Sequence, residues 1–252
     1  MDRSIMTRRL LMAVGLLATA SVFAQADSNP ARDPTKTEVW APVPARVATP
    51  PGGAPSDAIV LFDGRDVSAW ESEQGGRVPW SVADGALTVV PGSKGIRTRQ
   101  RFCDIQLHVE WRSPIATKGF DGQNRGNSGI FLQELYELQV LDSYNNATYA
   151  NGQAGSIYKQ AMPLVNASRA PGEWQAYDIL WKAPRFSPGG GLTSPARITV
   201  LHNGVLVQND TVVSGKTEYI GAPSYAPHAC APLYLQEHDS KVSYRNIWVR
   251  EL

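Results

Sequence analysis

Cysteine is scarce in this chain of 252 residues, where Cys103 and Cys230 are the only two. Two cysteines without a Cys-x-x-Cys spacing do not make a structural zinc site by themselves. A chain of this length buries a core large enough to fold without cross-links, so a disulfide is permitted but not required. The pair is predicted to be either two small buried thiols or a disulfide, and a disulfide needs Cα atoms within about 7 Å of each other.

An excess of either charge is also missing. Lys and Arg number 24 against 23 Asp and Glu, which gives a formal net charge of +1. Such a chain has no overall field to attract DNA, RNA or an anionic membrane. We therefore expect no nucleic-acid partner, and a small neutral ligand such as a carbohydrate fits the charge balance better.

Several common functional motifs are absent as well. The sequence contains no serine-hydrolase elbow, no His-Glu-x-x-His, no Walker loop and no Rossmann fingerprint. No segment keeps a helical period of 3.6 residues over ten or more positions with capping residues. These absences argue against a helical or doubly wound fold and against the enzyme classes that those motifs mark.

The first residues have the features of a targeting segment. Three arginines among the first nine residues precede an apolar run from Leu10 to Ala20, which is shorter than the roughly 20 residues of a membrane span. The tripeptide Ala24-Gln25-Ala26 then offers the small-x-small pattern that signal peptidase reads. We expect residues 1–26 to be a signal peptide, giving a periplasmic or secreted protein without stable membrane insertion after cleavage. The alternative is an uncleaved anchor helix.

Residues 27–57 are rich in proline, with seven prolines in the segment. Proline lacks a backbone donor and fixes φ, so this stretch can join neither a helix nor a central strand. We expect an extended tether, or alternatively a peptide strapped across the surface of a domain that spans 58–252.

From Ile59 onward the sequence consists of short β segments separated by turn pairs. Asp84-Gly85 and Asn203-Gly204 each stand between two apolar segments, which is the signature of a hairpin. The stretches 105–111 and 136–140 alternate strictly between apolar and other residues. Many short strands with regular turns predict an all-β domain, an antiparallel β-sandwich or jelly roll.

The polar faces of three predicted strands carry most of the side chains suited to chemistry. Alternate residues of a strand share a face, and the residues concerned are His108, Glu110 and Arg112 on the first strand, Glu137 and Gln139 on the second, and Gln236 and His238 on the third. We hypothesise that all three faces line one concave ligand-binding surface. The alternative is that they are the ordinary solvated faces of antiparallel strands.

Two loop regions add polar and aromatic groups. The Gly-rich loop 119–129 could clamp a ligand or hold Ca²⁺ through Asp121, Asn124 and Asn127, but it lacks the spacing and closing Glu of a calcium-binding helix-loop motif. No cofactor is predicted, and calcium is the only one left open. The stretches 142–146 and 155–159 contain tyrosine and amide side chains, which suit sugars because rings stack on sugar faces and amides bond hydroxyls.

The order and spacing of these segments resemble the 3-keto-disaccharide hydrolase family, whose domain is a concanavalin A-like jelly roll. The resemblance covers about residues 59–252 and departs from the family pattern at 132–135 and 239–241. Its main landmarks are Leu61-Phe62-Asp63-Gly64, Asp104 to Arg112, Gly126-Asn127-Ser128-Gly129, Tyr136-Glu137-Leu138-Gln139, Gly155-Ser156-Ile157-Tyr158 and Leu235-Gln236-Glu237-His238.

The resemblance implies cleavage of glycosides already oxidised at C3 of a sugar ring. The ketone acidifies the C2 proton, a base removes it, the oxygen at C1 leaves, and water adds to the resulting enone. This route needs a general base, an acid and hydroxyl-binding groups, and not the paired carboxylates of ordinary glycosidases.

The resemblance further implies Glu137 as base and His238 or Glu110 as acid. The expected substrate-binding residues are Arg112, Asn127, Gln139, Asp142, Tyr158, Gln236 and His108. Because the fold also hosts proteins without turnover, the alternatives are a non-catalytic, lectin-like carbohydrate-binding module of the cell envelope and a structural envelope domain.

Overall fold

The computed structural model describes residues 33–115 and 120–252, so the predicted signal peptide lies outside the described residues. The chain divides into two compact units, Met1–Arg46 and Val47–Leu252. In the first unit a 3-10 turn, Pro34–Thr37, is capped by Asp33, whose carboxylate accepts a hydrogen bond from the backbone N–H of Thr35. No helix in the described residues is long and apolar enough to cross a membrane.

Among the residues described, the regular elements of the second unit are strands, apart from two 3-10 turns at Gly122–Asn124 and Ala150–Gly152. These strands are β1 (Ile59–Phe62), β2 (Trp70–Ser72), β3 (Ser81–Ala83), β4 (Ala86–Thr88), β5 (Ile96–Thr98), β6 (Ile105–Arg112), β7 (Ser128–Leu132), β8 (Tyr136–Val140), β9 (Gln175–Lys182), β10 (Arg185–Phe186), β11 (Leu192–Ser194), β12 (Arg197–His202), β13 (Val205–Val212), β14 (Tyr234–Leu235) and β15 (Ser243–Glu251).

Within the ranges 47–115 and 120–252 these strands form two main sheets, and every pairing is antiparallel. The larger sheet has eight strands in the order β13-β12-β9-β6-β15-β4-β3, with β1 also paired to β15. The smaller sheet has five strands in the order β2-β5-β14-β7-β8, and β10 and β11 form a separate hairpin. The predicted all-β, antiparallel fold is confirmed and is consistent with a β-sandwich jelly roll.

Both predicted hairpins are confirmed. Asp84 and Gly85 connect β3 to β4 with φ angles of 51° and 73°, and Asn203 and Gly204 connect β12 to β13 with φ angles of 54° and 80°. Positive φ at both central residues defines a two-residue type I′ turn, which asparagine, aspartate and glycine adopt most easily. The turn residues therefore fix the register of these strand pairs locally.

The two sheets share one hydrophobic core. Ile105, Leu107, Val109 and Trp111 of β6 alternate into this core, and so do Tyr136, Leu138 and Val140 of β8. Burying a large apolar side chain stabilises the fold by roughly 1.5–3 kcal/mol, so this packing fixes which face of each sheet points inward. The polar faces of the two sheets consequently point away from each other, on opposite sides of the sandwich.

A disulfide joins Cys103 and Cys230, with Cα atoms 4.7 Å apart. This confirms the geometric condition predicted for the pair. The bond lies beside a β-bridge between Phe102 and Ala231 and spans 127 residues of sequence. In the chain-entropy account a loop of this length stabilises the folded state by about 5 kcal/mol.

Candidate active site

A cavity of about 540 Å³ lies on the face of the smaller sheet that points away from the core. Strands β7 and β8 and the segment after β14 form its floor, and loops complete its walls. Its lining residues are Gln123, Asn124, Asn127, Phe131, Glu137, Gln139, Tyr149, Tyr158, Lys159, Thr217, Tyr219, Gln236 and His238.

Glu137 lies in the middle of β8 and projects into this cavity, because its neighbours Tyr136 and Leu138 face the core. Its side chain is nearly buried, and within the described part of the chain no group donates a hydrogen bond to its carboxylate. Burial raises the pKa of Glu137 from 4.5 to about 8. A carboxyl group held in this way is a poorly solvated base, which is what proton abstraction near neutral pH requires.

Gly129 on the neighbouring strand β7 makes room for this carboxylate. A Cβ atom added at Gly129 would lie 2.7 Å from Oε1 of Glu137. Any larger residue would therefore displace the carboxylate or the strand, so the close approach requires glycine.

Amide side chains form a connected network along the cavity floor. Gln139 donates from Nε2 to Oε1 of Gln123 over 3.0 Å, and Asn127 donates from Nδ2 to the Gln123 carbonyl over 2.7 Å. The Oε1 atoms of Gln139 and Gln236 are buried and have no hydrogen-bond partner among the described residues. Buried acceptors are normally satisfied, so these two oxygens are suited to accept hydrogen bonds from ligand hydroxyls.

A lysine surrounded by tyrosines forms one wall of the cavity. The Nζ atom of Lys159 lies 4.0 Å from the ring centre of Tyr219, 5.6 Å from that of Tyr158 and 5.8 Å from that of Tyr149. It also donates a hydrogen bond of 2.6 Å to the Tyr219 carbonyl. Its backbone φ of 58° is left-handed, a conformation that a lysine adopts only when its surroundings hold it there. A positive charge is thus fixed at the cavity wall.

Tyr158 supplies a neutral hydroxyl group at the same wall. Its hydroxyl lies 2.6 Å from that of Tyr149. Burial and this hydrogen bond both raise the pKa of Tyr158 above its ordinary value. The phenol therefore stays protonated throughout the physiological range and can act as a hydrogen-bond donor.

The structure brings together six of the predicted site residues in this cavity. They are Glu137, His238, Asn127, Gln139, Tyr158 and Gln236. His238 is exposed at the rim, whereas Gln139 is almost fully buried.

Three other predicted residues, His108, Glu110 and Arg112, do not reach this cavity, so the hypothesis that all three polar strand faces meet is wrong. These residues lie on β6, which belongs to the larger sheet, and their side chains point to the opposite side of the sandwich. Alternation along β6 correctly separated inward from outward residues. It could not tell which of the two sheets contains the strand.

The outward face of β6 has its own network of contacts. Glu110 accepts hydrogen bonds from Arg245 and Asn246 over 2.6 and 2.8 Å. Burial opposes ionisation of Glu110, but these two bonds outweigh it and lower its pKa. His108 lies 2.7 Å from the Asp178 carboxylate. Each of these side chains is therefore held by neighbours on the larger sheet.

Arg112 completes this face by packing over the ring of Trp174, with its guanidinium carbon 4.6 Å from the ring centre. Arg245 packs at 4.1 Å from the centre of the same ring. The arginine that was expected to bind substrate thus belongs to a cation–π stack on the larger sheet.

Asp142 is likewise not part of the cavity lining. Its buried carboxylate accepts a hydrogen bond of 2.7 Å from Nε of Arg125 and one of 3.1 Å from the backbone N–H of Tyr144. The Arg125 guanidinium also contacts the Tyr144 carbonyl. Asp142, which was expected to bind substrate, therefore anchors a loop, and both of its carboxylate oxygens accept hydrogen bonds from the protein.

Several lining residues were not predicted as site residues: Gln123, Phe131, Tyr149, Lys159, Thr217 and Tyr219. Most of them come from loops, where no strand periodicity indicates the direction of a side chain. The only available signal is composition, since the stretches 142–146 and 155–159 contain tyrosine and amide residues, although Tyr149 lies between them.

The calcium hypothesis stays a prediction. No group of three or more His, Cys, Asp or Glu side chains that could hold a metal ion occurs in the residues described. Of the three proposed ligands, Asn124 and Asn127 line the cavity, and the Asn127 amide is engaged with the Gln123 carbonyl.

The chain was compared with known protein families and solved structures. The profile of the 3-keto-alpha-glucoside-1,2-lyase-like domain matches residues 57–250. A protein of Parabacteroides distasonis ATCC 8503, provisionally assigned as a glycosyl hydrolase, is 52% identical to this chain with a TM-score of 0.82, and the match covers 86% of this chain and 96% of that one.

A second protein of the same organism with the same provisional assignment is 21% identical, with a TM-score of 0.57 over 78% of this chain and 94% of that one, which shows the shared fold alone. No curated protein matches the chain. The resemblance drawn from the sequence motifs is confirmed. The chain belongs to the family of 3-keto-alpha-glucoside-1,2-lyase-like domains.

Proposed function

We propose that this protein breaks down 3-keto-glycosides by eliminating the substituent at C1 and then hydrating the product. The family and the similar glycosyl hydrolase support a carbohydrate-active function in general. The observation that carries the finer proposal is Glu137, an unpaired buried carboxyl group with a pKa of about 8 in a polar cavity large enough for a sugar. A second carboxylate, which an ordinary glycosidase would need, is absent from the described cavity lining.

The elimination starts at the C2–H bond, which the neighbouring C3 ketone makes acidic. The Glu137 carboxylate takes this proton, and the electron pair of the bond delocalises onto the C3 oxygen as an enolate. The enolate then forms the C1=C2 double bond while the C1–O bond breaks, and the leaving oxygen departs with its electron pair and takes up a proton. Water adds back as hydroxyl at C1 and hydrogen at C2, which yields the free 3-keto sugar.

Lys159 and Tyr158 are suited to stabilise the enolate. Lys159 is the lysine of the described lining residues, and its contacts with three tyrosines hold its ammonium group in place. The Tyr158 hydroxyl remains a neutral donor because its pKa is raised. Preorganised donors of this kind typically contribute about 10²–10³ in rate.

His238 is the proposed proton donor to the leaving oxygen. His238 is the one histidine among the described residues that line the cavity. It is exposed at the rim, where the alcohol product can escape to solvent. Glu110, the other candidate acid, lies on the opposite side of the sandwich and pairs with Arg245. The amide oxygens of Gln139 and Gln236 are assigned to sugar hydroxyls.

The test is release of the alcohol from a 3-keto-glucoside, with the unoxidised glucoside as a substrate control. Wild-type protein should release alcohol from the keto substrate only. Glu137→Gln should lower this rate by about 10²–10⁴, and Glu110→Gln, a matched carboxylate on the other sheet, should change it little. If the wild type binds the keto substrate but releases no alcohol from it, the proposed enzymatic activity is rejected and the lectin-like alternative is favoured.

A further inference from the structure

A second cavity, of about 270 Å³, adjoins the first. Its walls include the apolar residues Pro91, Pro114, Ile115 and Phe120. Ile115 is 75% exposed and Phe120 is 48% exposed, and both line the same cavity, so their apolar surfaces are available to one ligand.

The two cavities meet on both sides. Asn124 lines both of them, and His238 of the first cavity is followed directly in the chain by Asp239 of the second. A ligand that extends from the first cavity into the second would therefore lie beside Asn124 and the 238–239 segment. This junction is where the proposed mechanism places the breaking C1–O bond, beside His238.

The floor of the second cavity is rigidly built. Arg125 is held by the buried carboxylate of Asp142 over 2.7 Å. Gly126 has a left-handed φ of 61°, and a Cβ atom there would lie 2.7 Å from Cβ of Ser113. These contacts hold the loop in place at Arg125 and Gly126, which line the second cavity.

We propose that this second cavity is the leaving-group subsite and that it binds an apolar, ring-sized aglycone. The assignment rests on the proposed elimination of a 3-keto-glycoside. An apolar cavity on the order of 150 Å³ holds benzene, so this one accommodates a six-membered ring with substituents. Asn124, Arg125, Asp239, Ser240 and Lys241 line the polar side of this cavity, and the proline, isoleucine and phenylalanine residues form its apolar side. On the apolar side each buried methylene of a ring improves binding roughly fourfold.

The test compares the methyl and cyclohexylmethyl glycosides of 3-keto-glucose. Both release a primary alcohol, so they differ in apolar bulk far more than in leaving-group chemistry. Wild-type kcat/KM should favour the cyclohexylmethyl substrate by at least about tenfold. Phe120→Ala should bring this ratio close to one. Leu180→Ala removes a side chain of similar exposure, 46%, from the larger sheet and should keep the ratio of the wild type.

A parallel binding measurement separates this subsite from the chemistry. The unoxidised methyl and cyclohexylmethyl glucosides are titrated against the same three proteins by calorimetry, and the cyclohexylmethyl compound should bind more tightly unless Phe120 is removed. If no keto-glycoside is cleaved but this preference is found, the elimination fails and the ring-binding site stands. Equal affinities and equal kcat/KM in the wild type, or a preference unchanged in Phe120→Ala, would overturn the subsite.

Discussion

Replacing Glu137 by glutamine is expected to stabilise the protein, and to do so increasingly as the pH rises. The folded-state pKa of about 8 lies above the ordinary value of 4.5 because the folded protein excludes water from this carboxyl group. The folded state therefore holds the proton more tightly than the unfolded state, and wild-type stability falls between these two pH values. Glutamine has nearly the same shape and does not ionise, so the stability of the variant does not fall in this pH range for this reason.

The size of the effect follows from the two pKa values. One pKa unit corresponds to about 1.4 kcal/mol, so the advantage of Glu137→Gln should grow by up to about 1.4 kcal/mol per pH unit between about pH 5 and pH 8. The total gain between pH 5 and pH 9 is on the order of 4 kcal/mol. Above about pH 8 the wild-type carboxyl group is ionised in both states, and the advantage should stop growing.

The assay is urea unfolding, followed by tryptophan fluorescence, of the wild type and Glu137→Gln from pH 5 to pH 9. Glu110→Gln is the matched control, because the pKa of Glu110 is lowered by Asn246 and Arg245 in spite of its burial. That carboxylate stabilises the fold above its unfolded pKa, so Glu110→Gln should cost a constant amount from pH 6 to pH 9. A flat difference for Glu137→Gln over the same range would refute the assignment of a buried, unpaired carboxyl group.

Three further outcomes follow from the same site. The kcat/KM for a 3-keto-glucoside should rise with pH through about 8, because only ionised Glu137 accepts the C2 proton; a pH-independent profile would argue against this base. Lys159→Met should lower kcat by about 10²–10³, with a smaller change in affinity for the unoxidised glucoside, as titration calorimetry would measure. His238→Gln should slow release of methanol more than that of 4-nitrophenol, which needs no protonation, and equal slowing would dismiss His238 as the acid.

Local features of the fold were predictable from the sequence because their causes are local. Asp84-Gly85 and Asn203-Gly204 adopt positive φ angles readily, and these turns place the strands on either side in register. Alternation along β8 correctly placed Tyr136 and Leu138 in the core and left Glu137 on the other face.

Which strands contribute residues to the site depends on how distant strands pair in the two sheets. The alternation of apolar and polar residues along one strand does not determine this pairing. The register that pairs Glu110 with Ala176 and Arg245 puts β6 in the larger sheet, although its pattern resembles that of any half-buried strand. For the same reason His108, Glu110 and Arg112 were assigned to the wrong side of the sandwich.

The loop residues of the cavity were beyond prediction for a different reason. Lys159 reaches the cavity through a left-handed backbone conformation, and its direction depends on the three tyrosines around it. Tyr219 comes from a segment with no strand pattern at all. Side-chain directions in such loops depend on tertiary contacts and not on sequence spacing.

The fate of the C2 hydrogen tests the central claim most directly. A 3-keto-glucoside is incubated with the protein in D₂O, and the free sugar is examined by NMR against a protein-free control. We predict that the wild type releases sugar carrying deuterium at C2, and that Glu137→Gln forms it at least about 100-fold more slowly. Product that keeps its original hydrogen at C2, or a Glu137→Gln rate equal to that of the wild type, would contradict elimination by Glu137.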